Sequence, residues 1–218
     1  MRRADNWRRG AEMVIQTEKR FLLGCVLLVF VLLGLHPKAD RLTWALENLP
    51  VMVAMPILIA THRRFAWTPL AYRFMAIHAV ILMIGGYYTY AEMPVFNWLR
   101  DSLGLARNYY DRVGHLAQGF IPAILTREVL LRCTTLQRGK MLIFLVWSVC
   151  MAISASYELF EWASAMVFGS GATDFLGLQG DIWDTQADMA CAAVGSVLAM
   201  ATIGRLHDRH LERFQITK

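Results

Sequence analysis

The chain alternates apolar runs with short polar stretches. Six runs stand out, approximately Phe21–Leu35, Trp44–Thr61, Phe74–Ala91, Val113–Leu125, Met141–Tyr157 and Ala187–Gly204. Apolar residues gathered into runs, rather than scattered, predict membrane spans. Some runs fall short of the roughly 20 residues a bilayer requires, so their polar flanks must extend the helices. The fourth is interrupted by His115 and Gln118. It reads either as a span or as a buried helix that crosses only part of the membrane. The predicted fold is all-α, a polytopic membrane helix bundle of about six transmembrane helices with both termini cytoplasmic.

Three regions follow. Residues 1–20 form a basic cytoplasmic segment, either an interfacial amphipathic helix carrying Trp7, Met13, Val14 and Ile15 or a disordered tail. Residues 21–204 form the six-helix domain, and residues 205–218 a basic cytoplasmic tail. The first run follows a basic stretch, as a signal peptide does. No small-residue cleavage site follows Leu35, where the chain continues His36-Pro37-Lys38, so the run is read as a retained span.

Local features refine this outline. Pro50 is expected near the first turn of the second span and Pro56 at a kink. Glu47 reads as a solvated helix end. Gly85 and Gly86 permit close helix approach, and Tyr87, Tyr88 and Tyr90 suit an interfacial belt. The alternative has Tyr88 or Tyr90 reaching a polar cluster. His78 lies deep in the third span with no partner at helical spacing. Between Glu92 and Tyr110, Trp98, Leu99, Leu103 and Leu105 recur at near-helical spacing, fitting a surface helix or a connector. The glycine-rich stretch Phe168–Gly180 has no Lys or Arg and suits a flexible lid or ligand loop.

The net charge of +5 would suit nucleic acid, but its distribution argues otherwise. With a cytoplasmic N-terminus, the 22 Lys and Arg divide into 17 inside and 5 outside, the latter being Lys38, Arg41, Arg100, Arg107 and Arg112. That is the positive-inside bias, and the partner it implies is the lipid bilayer. Cys25, Cys150 and Cys191 lie in spans and Cys133 in an inner loop. With no CxxC spacing and no outer-loop cysteine, neither a disulfide nor structural zinc is expected.

Candidate chemistry sits in three blocks: Asp111-Arg112-Val113-Gly114-His115, Tyr157-Glu158-Leu159-Phe160-Glu161, and Gly180 to Asp188. Asp111, His115 and Gln118 share one helix face at i, i+4, i+7, as do Ser154, Glu158 and Glu161. Asp181, Asp184 and Asp188 are spaced by three and four. Counting helical rise puts His115 about 18 Å above the inner boundary, Glu158 about 25 Å beyond Met141 and Asp188 about 24 Å above Gly204. All three blocks therefore reach the outer third of the membrane. A carboxylate at mid-bilayer costs about 2.5–3.5 kcal/mol on insertion scales, so several together need a metal, shared protons or a cationic ligand. Only Arg112 is an evident basic neighbour in sequence.

His115, Glu158 and Asp188 are the candidate metal ligands. His115 is alternatively a general base, and Glu161 or Asp184 a general acid/base or further ligand. Asp111, Gln118 and Asp181 are further candidates, with Asp181 and Asp184 also readable as helix caps. One histidine among carboxylates fits magnesium or manganese, and zinc is compatible. Neither H-E-x-x-H, a P-loop nor a G-x-S-x-G elbow is present.

These blocks, in order and spacing over nearly the whole chain, resemble the YjdF family of bacterial inner-membrane proteins. The resemblance implies fold and localisation and points to His115, Glu158, Glu161, Asp181, Asp184 and Asp188; it implies no reaction. A more distant likeness is to VanZ-like membrane proteins, from which the chain departs by carrying Ala192 and Ala193 before Gly195, where that pattern often has Asn. Three functions fit: metal-dependent chemistry on a lipid-linked or envelope substrate at the outer leaflet, binding or transport of a cation or cationic solute, and a structural partner subunit.

Overall fold

The computed structural model describes residues 2–169 and 173–216. Met1, residues 170–172 and the last two residues lie outside that description, as do the side chains of residues 2–12, 14, 173, 174, 215 and 216, including Trp7 and Val14 of the N-terminal segment. Among the described residues the fold is all-helical: α1 (Arg2–Leu35), α2 (Arg41–Thr61), α3 (Pro69–Tyr88), a 3-10 turn (Tyr90–Glu92), α4 (Pro94–Leu103), α5 (Tyr110–Cys133), α6 (Lys140–Phe168), α7 (Thr173–Leu176), α8 (Asp184–Thr202) and α9 (Gly204–Ile216).

Polarity is inverted relative to a water-soluble bundle. Phe21 and Leu32 on α1, Val53 and Ile57 on α2, Phe144 and Leu159 on α6, and Val194 and Val197 on α8 face outward. Inside, fully buried polar and charged residues are as numerous as apolar ones among the described residues. Hydrocarbon is the solvent that tolerates such an exterior. By length and composition, α2, α3 and α6 can each cross a membrane, and α8 with α9 passes as a pair bent by 61°. The apolar part of α1 begins only after Glu18-Lys19-Arg20, and α5 carries Asp111, Arg112, His115, Arg127 and Glu128.

Several boundaries differ from expectation for physical reasons. Asp40 caps α2 by accepting the Leu42 and Thr43 amides at 2.8 and 3.0 Å. The helix therefore starts at Arg41 and places Pro50 in its middle rather than its first turn. Likewise α3 stops at Tyr88, because Thr89 adopts a positive φ of 61° and turns the chain. This swings Tyr90 inward, where its ring fills the space left by Gly85 and Gly114. The stretch after Glu92 does form a helix, α4, with Val95, Trp98 and Leu103 exposed.

At its C-terminal end, α5 runs on to Cys133 because its last turns bury polar groups rather than apolar ones. Glu128 is fully buried, accepting from the Thr68 amide at 2.9 Å, the Thr68 hydroxyl at 2.7 Å and Arg132 at 2.6 Å. His207 on α9 lies 3.1 Å from Glu128 Oε2 and 3.0 Å from Arg127 Nη1. The tail after Gly204 is thereby held against α5. Above this layer, Ala123, Ile124, Leu142, Val146, Cys150 and Ala199 form the apolar core between α5, α6 and α8. The four cysteines are free.

Candidate functional site

Helices α5 and α8 cross in close contact because each has a glycine where the other's backbone passes. A Cβ on Gly119 would collide with the Ala192 carbonyl, and one on Gly195 with the Leu116 carbonyl. This reciprocal contact brings the Asp111–His115–Gln118 face of α5 against Asp184 and Asp188 at the head of α8. Helix α6 packs on both and adds Ser154, Glu158 and Glu161, all buried. The three blocks therefore do meet.

Two arginines organise the outer layer. Arg112 pairs with Asp188, and its Nη2 donates to Asp184 at 2.7 Å and Asp181 at 3.0 Å. Arg107, only 5% exposed, pairs with Asp184, reaches Asp111 at 3.5 Å and donates to the Gly177 carbonyl at 3.1 Å. Beside it, Asn108 and Gln179 exchange two hydrogen bonds, at 2.9 and 3.0 Å, which fasten the loop before α8 to the turn before α5. Gly177 has a φ of 60°, a left-handed conformation that favours glycine. Asp181 accepts the Trp183 amide at 2.9 Å. That bond, with Arg112 and Arg107 beside it, holds its carboxyl below the usual carboxylate range. Asp184 opens α8 without making a side-chain cap bond; its carboxylate is taken by the two guanidiniums.

The arginines engage only one side of each inner aspartate. Asp188 gives Oδ2 to Arg112, and Asp111 gives Oδ2 to Arg107. Their Oδ1 atoms turn to His115 Nε2, at 3.8 Å from Asp188 and 3.4 Å from Asp111. On the opposite ring edge, His115 Nδ1 lies 3.0 Å from Gln118 Oε1. With that oxygen accepting, the proton sits on Nδ1 and the Nε2 lone pair faces two carboxylate oxygens. Three acceptors pointing at one another repel unless a proton or cation lies between them. Asp188 Oδ1 has no hydrogen-bond partner, and neither has Glu158 Oε1, 3.7 Å from Nδ1. One ligand atom each from Asp111, His115 and Asp188 falls within 4.8 Å of the others, spacing that can hold a metal ion. Glu158 stands on the other side of the ring, so Asp111 completes this group of three.

Below and beside His115 opens a mostly apolar cavity of about 580 Å³, within the range of small-molecule sites. Its wall includes Glu47, Tyr90, His115, Tyr157, Glu161 and Phe175. Phe175, on the one-turn helix α7, is 3% exposed and roofs it, so this part of the glycine-rich loop is packed. Toward the bilayer the lining changes to Leu49 and Val53 of α2 and Val149 and Ile153 of α6, all exposed on the protein's outer surface. The cavity is thus bordered by lipid-facing side chains on two helices.

Two members of the site are poorly marked in the sequence. Arg107, an outer-loop charge by its place in the sequence, stands four residues before Asp111, the spacing of a helical ion pair. Glu47, expected as a solvated helix end, is 3% exposed. Its signal was the buried stripe Thr43, Glu47 and Val51 at i, i+4, i+8 on α2. The buried, unpartnered Nε2 of His78 also borders the cavity.

Residues 18–209 match the family described as "Predicted membrane protein (DUF2238)". The chain is similar to "Inner membrane protein YjdF" of Escherichia coli (strain K12), with 47% identity over 189 residues, covering 87% of this chain and 89% of that protein. No solved structure shows a significant match.

Proposed function

The chain belongs to the DUF2238 family of membrane proteins and is a multi-pass protein of the bacterial inner membrane, and on that premise we propose that it holds a divalent cation at Asp111, His115 and Asp188 for chemistry on a lipid-linked or envelope substrate. The observation that carries the reading is the unpartnered Asp188 Oδ1 facing His115 Nε2, with both side chains buried. Arginines fix the two aspartates from behind and Gln118 fixes the imidazole, so the inward-facing atoms are set before any ligand arrives. Such outer hydrogen bonding is how ligands of metal sites are oriented. One nitrogen and two carboxylate oxygens suit magnesium, manganese or zinc. An ion there supplies Lewis acidity to a substrate oxygen. Glu158 and Glu161, beside the centre and free of arginine, are the carboxyl groups placed to exchange a proton with substrate. Asp184, locked by both arginines, serves as their anchor.

In this reading α1 and α5 join α2, α3, α6 and the α8–α9 pair as six spans, with both termini cytoplasmic and the site near the outer face. The excess of inner Lys and Arg supports that orientation. Metal content of purified protein tests the centre. Wild type is expected to carry about one ion per chain and to lose thermal stability on chelation, because a ligand bound only to the folded state stabilises it. His115→Ala is expected to carry none. A metal-free wild type whose stability ignores chelator contradicts the proposal. Turnover of outer-leaflet lipid extracts by loaded protein then separates an enzyme from a binding or transport protein.

A further inference from the structure

We propose that the cavity takes an amphiphile bearing a protonated amine, whose apolar chain lies between α2 and α6 and whose ammonium group is held by Glu47 and Glu161. This goes beyond the proposed metal centre and does not depend on it.

Glu47 on α2 and Glu161 on α6 are 3% and 9% exposed, and both line the cavity. Neither makes a hydrogen bond or ion pair among the described residues, while Arg107 and Arg112 are committed to Asp111, Asp181, Asp184 and Asp188. Two buried carboxylates without a cation are costly wherever water is scarce. A ligand that brings positive charge into this space removes that cost.

The shape and lining select the kind of cation. Glu47 and Glu161 belong to no group of three metal-ligating side chains among the described residues, unlike Asp111, His115 and Asp188. Around them stand Tyr90, Tyr157, Phe160 and Phe175. Aromatic rings beside carboxylates suit an organic ammonium, which ring faces attract as well. The rest of the space is apolar and continues to Leu49, Val53 and Ile153 at the lipid-facing surface. A hydrated inorganic ion has no use for such a lining; an alkyl chain does. Glu47 sits where α2 approaches α3 at Gly86, whose missing Cβ would meet both the Asn48 side chain and the Glu47 Cβ.

The test uses the full-length protein in phosphatidylcholine nanodiscs and radiolabelled dodecylammonium as the probe, with dodecanol as the uncharged competitor. Saturable binding above empty nanodiscs is expected, displaced by unlabelled dodecylammonium and not by equal dodecanol. Glu47→Gln and Glu161→Gln together should weaken binding by about tenfold or more, the range for losing hydrogen bonds to a charged group. Neither change removes a partnered group, so both variants should fold, and their unfolding temperature in the absence of probe checks this. Metal content of the double variant should match wild type, and His115→Ala should still bind the probe. The proposal is overturned by absent saturable binding, by equal competition from dodecanol, or by wild-type affinity in the double variant. Loss of binding in His115→Ala alone also overturns it, because the amine would then depend on the centre at His115. A metal-free protein that binds dodecylammonium through Glu47 and Glu161 would retain this inference and remove the metal reading.

Discussion

Arg112 contacts Asp184, Asp181 and Asp188, and replacing it with glutamine leaves the buried Asp188 carboxylate without its guanidinium partner. Removing one partner of a buried ion pair costs roughly 3–5 kcal/mol, and Arg112→Gln should destabilise by that order. Adding Asp188→Asn should recover part of the loss, as read from unfolding midpoints in detergent. Asp181 gives a separate handle. Its carboxyl titrates lower when folded than when unfolded, held by the Trp183 amide and the two arginines. A depressed carboxyl contributes stability above its unfolded value of about 4, and that contribution is lost as pH falls through the lower folded value. Amide protection at residues 178–183, referred to the intrinsic exchange rate at each pH, should therefore fall below about pH 4, and Asp181→Asn should remove that component of the pH dependence. At this scale His115, Glu158 and Asp188 are conspicuous in the sequence, because they are ionisable groups inside apolar runs. Arg107 and Glu47 are not, because they stand at run edges, where solvation is the ordinary expectation and only the tertiary fold buries them.

The crossing of α5 and α8 is what turns three separate stripes into one site. Gly195→Leu inserts a side chain where the Leu116 carbonyl passes, and overpacking of this kind typically costs 1–3 kcal/mol, or about that much again where backbone must move. The helices should separate, and metal and stability should be lost together. Gly24→Leu is the control: a Cβ at Gly24 meets nothing within 4 Å, so its unfolding midpoint should stay near wild type. The apolar runs marked the helices themselves well, since hydrocarbon imposes continuous apolar stretches. Their ends were less legible. The C-terminal end of α5 and the docking of α9 rest on Glu128, Arg127 and His207, a buried polar layer that leaves no apolar signature. The mid-helix position of Pro50 depended on a capping aspartate several residues upstream of the apolar run.

Across the whole molecule, seven carboxylates, Glu47, Asp111, Glu158, Glu161, Asp181, Asp184 and Asp188, gather against two guanidiniums and one imidazole. The membrane makes this imbalance consequential, because little water is available to disperse it. Orientation decides which compartment supplies the balancing charge. Reporters fused at the C-terminus and inserted near Gly104 should read cytoplasmic and external respectively; the reverse pattern would place the site on the inner face. Fold class and the convergence of the three blocks were both readable from sequence, since each follows from helical periodicity and depth. The assignment of ligand atoms was not, because it turns on which carboxylate oxygen the arginines leave free. The most direct measurement is therefore anomalous scattering from the protein crystallised with manganese. The account predicts a peak at about 2.0–2.6 Å from Asp111 Oδ1, His115 Nε2 and Asp188 Oδ1. An imidazole hydrogen-bonded directly to either aspartate, with no peak between them, would contradict it.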